Sequence, residues 1–183
     1  MTSKRRERGA AAVEAALVTP LFIMLIIGIM EFALFFMDNL GASNAVKAGV
    51  RMASAEARNA NYAQDAADRI QAEGGAINKN KVQQLWVYKA NPTNDFPLGS
   101  SSFADCTVCV KFTWNGSRFV PQSSPTWLAS SMNACASGPP ERVGVYLELK
   151  HDALTRIAFS SITIRESTVI RLEPIPVTNG CKP

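Results

Sequence analysis

AALVTPLFIMLIIGIMEFALFFM, residues 15–37, decides the architecture of this 183-residue chain. Its 23 residues carry a single charge, Glu31. Wound as a helix it would measure about 35 Å at 1.5 Å per residue, enough to cross a hydrocarbon core of about 30 Å with some tilt. A secretory signal has an apolar run of only about 7–15 residues. The nearest small-residue site, Gly41-Ala42-Ser43, lies well beyond that range. A buried core helix would keep a polar face, and this run has none. The stretch therefore reads as a transmembrane helix. Lys4, Arg5, Arg6 and Arg8 precede it and no basic residue directly follows it. That asymmetry puts the N-terminus in the cytoplasm and everything from about Asp38 onward across the membrane.

The net charge of +4 sits in that basic flank. Of 19 Lys and Arg and 15 Asp and Glu, the first nine residues hold four and one, so the rest of the chain is nearly neutral. No basic face is left to lie along a phosphate backbone, which excludes nucleic acid as a partner.

Past the membrane the helical pattern continues in DNLGASNAVKAGVRMASAEARNANY (38–62), with Leu40, Val46, Val50 and Ala53 at helical spacing and Lys47, Arg51 and Arg58 elsewhere. Gly41 and Gly49 weaken it. One long helix is expected from about Ala10 to Arg58, and a second from about Ala63 to Ala72, stopped at Gly74-Gly75. The texture then changes. VQQLWVYK (82–89), CTVCVKFTW (106–114), RVGVYLELK (142–150) and ITIRESTVIRL (162–172) are short and rich in β-branched and aromatic residues. The last two alternate apolar with polar, as half-exposed strands do. Helices followed by four strands predict an α+β chain with a mainly antiparallel sheet. The expected divisions are a leader at 1–9, the transmembrane helix at 10–38, an amphipathic helix with the second helix at 39–75, and a β-rich domain at 76–183.

Cys106, Cys109, Cys135 and Cys181 all lie on the far side of the membrane. CTVC could be a redox pair or half a zinc site. A redox pair should precede a helix, whereas this one opens a β-rich stretch. In a strand its two cysteines would point to opposite faces. Two structural disulfides are the better reading in an oxidising compartment. Four cysteines allow three connectivities, and a Cys106–Cys109 bond is the least expected, with each reaching Cys135 or Cys181. His151, the only histidine, follows a strand and reads as a surface residue at a turn edge. No nucleophile pairs with it, no Gly-rich phosphate loop is present and the carboxylates are scattered. The chain is thus not expected to be an enzyme or to need a metal, a cofactor or a small-molecule substrate. Glu31 has two readings, a boundary carboxylate that snorkels or is protonated, or a contact between packed helices. Pro20 is the other helix-packing candidate.

The opening of the chain carries a more specific pattern. A basic leader, Gly9, Ala10-Ala11-Ala12-Val13-Glu14 and then an apolar helix resemble the class III signal of type IV pilins. RGAAAVEAALVTPLFIMLIIGIMEFALFF (8–36) and NAVKAGVRMAS (44–54) together resemble the TadE-like pseudopilins of tight-adherence (Tad/Flp) pilus systems, and ITIRESTVIRLEP (162–174) resembles the strand that often closes them. Residues 75–140 match nothing of the family. Ala15 stands where the major Flp pilins usually carry Tyr, and the long β-rich domain separates this chain from them. The resemblance implies a type IV pilin-like domain on a helix that serves as membrane anchor and filament core. It implies cleavage by a prepilin peptidase between Gly9 and Ala10, and a buried Glu14 carboxylate paired with a neighbour's new N-terminal amine. The implied partners are the inner membrane, the peptidase, other pilins or pseudopilins and the assembly machinery. The implied location is the bacterial inner membrane in a single pass, with the domain in the periplasm, and the extracellular pilus if the protein joins it. The alternative reading is a single-pass envelope protein whose disulfide-bonded domain binds a partner or ligand, with the helix only an anchor.

Overall fold

A computed structural model describes residues 3–75, 77–136, 138–156 and 159–175. Helix α1 (Ser3–Ala55) runs without a break through Gly9 and Pro20. It starts earlier than the sequence suggested, since Lys, Arg and Glu before Gly9 are good helix formers. Helix α2 (Tyr62–Glu73) ends where expected, at Gly74, whose amide bonds to the Ile70 carbonyl at 2.8 Å. Five strands follow: β1 (Val82–Lys89), β2 (Cys109–Trp114), β3 (Phe119–Pro121), β4 (Arg142–Asp152) and β5 (Ser161–Arg171). They form one antiparallel sheet in the order β3-β2-β1-β4-β5.

The sheet has five strands, one more than expected. The addition is β3, a three-residue edge strand that folds back on β2 through Asn115–Arg118. Asn115 Oδ1 accepts from the Ser117 and Arg118 amides, and Gly116 takes φ 100°, a conformation that glycine enters at no steric cost. Pro121 is tolerated because β3 is an edge.

Side chains alternate across the sheet. Val143, Val145, Leu147 and Leu149 of β4 join Leu85 and Val87 of β1 and Val110 and Phe112 of β2 on the face that packs against α1 and α2. Ala42, Ala45, Val46, Val50 and Ala53 are the buried stripe of α1, and Ala63, Ala66, Ala67 and Ile70 that of α2. Leu40, expected on this stripe, is instead 62% exposed. Gly49 marks the closest approach of the helices: a methyl there would lie 2.4 Å from Ile70 Cγ1. On the opposite face Trp86, Tyr88 and Tyr146 form a second cluster beneath the β1–β2 connection, whose Phe103 ring stacks on Tyr146 at 4.3 Å.

Candidate functional site

The first half of α1 is bare. Most large apolar side chains from Val13 to Met37 are exposed, among them Leu17 at 70% and Leu21 at 69%, while Phe35 is partly buried against the core. Among the described residues, this helix alone is long and apolar enough to cross a membrane. Gly9, Ala10, Glu14 and Pro20 all lie exposed on it. Ala10 and Glu14 are four residues apart, about one helical turn. Pro20 removes one backbone hydrogen bond without ending the helix, as membrane helices tolerate. The side chains of Lys4, Arg5, Arg6 and Arg8 lie outside the described residues, as does Cys181.

The upper half of α1 is seated on the domain by polar contacts at both ends. Glu31 is 4% exposed, although it lies inside the apolar run. One carboxylate oxygen accepts from the Leu154 amide at 2.9 Å. The other accepts from the Thr155 amide at 2.5 Å and the Thr155 hydroxyl at 2.6 Å. Both amides belong to the β4–β5 turn, where no ladder partner exists for them, so the carboxylate supplies what the sheet cannot. Seven residues on, along the same side of the helix, Asp38 lies 2.7 Å from His151 Nδ1. At the far end the Ser54 hydroxyl donates to the Arg171 carbonyl at 2.7 Å, and the Glu173 amide donates to the Ser54 carbonyl at 3.1 Å.

His151 is therefore not a surface residue. It is the penultimate residue of β4, 5% exposed, with its ring edge-on to Phe35 at 5.7 Å. The sequence ends its alternating pattern at Lys150, but the strand continues through Asp152, with His151 and Asp152 paired to Ile162 and Ser161 of β5. Glu31 was legible as an anomaly; its partner was not, because backbone amides of a turn leave no trace in residue types.

The cysteines require a correction. Cys106 is bonded to Cys109, the pairing least expected. The strand begins only at Cys109, and Thr107-Val108 form a bend that brings Cys106 back across, so the opposite-faces argument does not apply. Cys135 is disulfide-bonded as well. It sits beside Ile175, whose amide donates to the Ala134 carbonyl at 2.7 Å.

Among the described residues no three His, Cys, Asp or Glu are placed to hold a metal ion. A cleft of about 680 Å³ between the start of α2 and the Trp127 segment is lined by Arg58, Tyr62, Phe112, Trp127 and Leu128, with no carboxylate, histidine or cysteine. The Tyr62 hydroxyl is committed to the Trp127 carbonyl at 2.9 Å, and burial holds its ionisation well above the ordinary tyrosine range.

No curated protein and no solved structure matches the chain. The family model described as TadE-like protein matches residues 9–51, the stretch from Gly9 through the bare part of α1 and most of its buried stripe. Over those residues the N-terminal helix of this chain is similar to that of TadE-like proteins.

Proposed function

We propose that the protein is a minor pseudopilin that takes part in assembling or priming a Tad-type adhesive pilus. The observation that carries this reading is the match of residues 9–51 to the TadE-like family on a helix whose apolar side chains from Val13 to Met30 are largely uncovered among the described residues. A bare apolar surface of this extent needs lipid or other helices around it. In this reading residues 10–38 lie in the inner membrane, 39–75 and 76–183 lie in the periplasm, and a prepilin peptidase removes 1–9. The work done is packing and assembly rather than catalysis.

Cleavage after Gly9 would leave an α-amine on Ala10, one helical turn from Glu14. An amine and a carboxylate attract far more strongly in apolar surroundings than in water, but each must first lose its hydration. While the helix end rests among lipid headgroups, Glu14 keeps water and needs no partner. Packed among other helices it needs one, and a neighbour's N-terminal amine has the matching charge. Glu14 thus serves assembly, and is dispensable for insertion and folding.

Intact-mass measurement of the membrane-extracted protein tests the processing: the chain is expected to begin at Ala10. A chain that keeps Met1 favours the alternative, a plain single-pass anchor for a binding domain. Glu14→Ala is expected to be inserted and cleaved normally, yet to lose co-purification with partner pilins. If that variant still supports normal pili the pairing argument fails, and if it is not cleaved the residue serves the peptidase instead.

A further inference from the structure

The contact between Glu31 and the β4–β5 turn fixes the height of the domain along α1. Leu154 and Thr155 are bonded to Glu31 itself, so the turn lies at its depth. From Ala10 to Glu31 the helix rises about 32 Å, which matches a hydrocarbon core of about 30 Å. With Ala10 at the inner boundary, the turn reaches the outer one. Leu154 there is 65% exposed, beside a helix that also exposes Phe32 and Phe36.

The next layer out is polar and basic. A cleft of about 210 Å³ places Lys81 and Lys150 beside Leu34, Met37 and Asp38 of α1. Those helix residues lie about 5–10 Å beyond Glu31, the depth of the headgroup layer. Arg156 follows Thr155 directly and is exposed, as is Lys150. Lys79, half-buried and bonded to the Gly74 carbonyl, precedes β1 at the same end. Three carboxylates share this end, one of them Glu31, enclosed by the turn. Asp152 is held by Lys81 and approached by Lys150 at 3.7 Å, and Asp38 is engaged by His151. Cations exceed carboxylates by one at an end otherwise occupied by an exposed leucine.

We propose that this end of the domain is a lipid-docking surface, with Leu154 seated at the acyl boundary of the outer leaflet and Lys81, Lys150 and Arg156 facing the phosphates of anionic headgroups. An amphipathic arrangement of this kind, an apolar tip beneath a basic rim, binds anionic bilayers through burial and charge together. The surface holds the domain at one height and tilt on the membrane, so that leaving the bilayer requires breaking lipid contacts as well as extracting the helix. The inference rests on the membrane-spanning reading of α1.

The test uses the full chain reconstituted in phosphatidylcholine vesicles with and without phosphatidylglycerol. Single spin labels on introduced cysteines replace Phe22 in the apolar helix, Leu154 in the turn and Asn94 at the opposite end of β1; all three positions are exposed. In the anionic vesicles the Phe22 label should be shielded from an aqueous nickel relaxant and open to oxygen. The Leu154 label should be shielded too, but shallower, and the Asn94 label fully open to nickel. Lys150→Glu combined with Arg156→Asn should raise nickel access at Leu154 in those vesicles; asparagine is chosen because Arg156 has φ 58°. A Leu154 label as open as Asn94 while Phe22 stays shielded overturns the docking surface and leaves the membrane reading intact. An unshielded Phe22 label overturns the membrane reading itself, and the proposal with it. Unchanged access at Leu154 in the charge variant overturns the role of the basic rim.

Discussion

Replacing Gly49 by alanine sets two effects of similar size against each other. Mid-helix glycine costs about 1 kcal/mol relative to alanine, so on propensity alone the substitution stabilises α1. The added methyl, however, would lie 2.4 Å from Ile70 Cγ1 and 2.6 Å from Cδ1. Ile70 is 2% exposed and confined between the two helices, so it cannot swing away. Overpacking of this kind costs about 1–3 kcal/mol. Packing therefore wins, and Gly49→Ala is expected to destabilise by up to about 2 kcal/mol. In an Ile70→Ala background the obstruction is gone. The same substitution should then stabilise by about 1 kcal/mol, since only propensity and partial filling of the vacated space remain. The Ala66 carbonyl oxygen, 3.2 Å from the new methyl, is tight in both backgrounds and cancels from the comparison. Guanidinium denaturation of the four proteins in detergent, followed by tryptophan fluorescence, measures the cycle. A Gly49→Ala protein more stable than the parent would refute the close approach of α1 and α2.

Glu31→Ala should leave the Leu154 and Thr155 amides without acceptors, so hydrogen exchange at the β4–β5 turn should accelerate in the isolated protein while exchange at Ala42–Ala53 stays slow. Unchanged exchange at the turn would place the role of Glu31 outside its own chain. Acid should loosen the domain at its charged contacts. The Asp152 carboxyl is held below its ordinary range by the Lys81 hydrogen bond, and Asp105 by the Lys111 hydrogen bond. Both bind their proton less readily folded than unfolded, so their stabilisation is present at neutral pH and lost as pH falls below about 3.8, the ordinary value for aspartate. Lys81→Met should flatten that part of a stability–pH profile. Non-reducing peptide mapping is expected to join Cys106 to Cys109 and, as the remaining pair, Cys135 to Cys181; a Cys106–Cys135 peptide would exclude this connectivity.

The parts of the fold that announced themselves did so through periodicity. Twenty-three residues with one charge mark the bare half of α1, and the alternation Val143, Val145, Leu147, Leu149 marks β4 as a strand with one face on a core. Strand β1 was legible too, from the β-branched and aromatic residues of VQQLWVYK (82–89), but the cover over its outer face was not. β1 reads as an unbroken apolar run, Leu85 to Tyr88, because the β1–β2 connection lays Phe103 over its outer face. No local pattern in residues 90–108 foretells that cover. The edge strand β3 did carry a signal, Asn115-Gly116 between aromatic runs, which is hairpin chemistry. Three residues are too few for a strand to declare itself by alternation.

Glu14 and Glu31 show why the site was only half legible. Both are acidic residues near the ends of one apolar helix, and residue type alone gives them the same ambiguity. The structure separates them by what surrounds each one. Glu31 is enclosed by amides and a hydroxyl from its own domain, so its charge is compensated whenever the domain is folded. Glu14 is exposed and lies on the part of α1 that no other element covers among the described residues. In the proposed reading, compensation for Glu14 comes from lipid headgroups, water or another molecule. In the proposed reading that asymmetry gives the two carboxylates opposite kinds of work. One fixes the domain to its own helix at a set height, and the other is left available to the surroundings, where a change from lipid to packed helices alters its energy most.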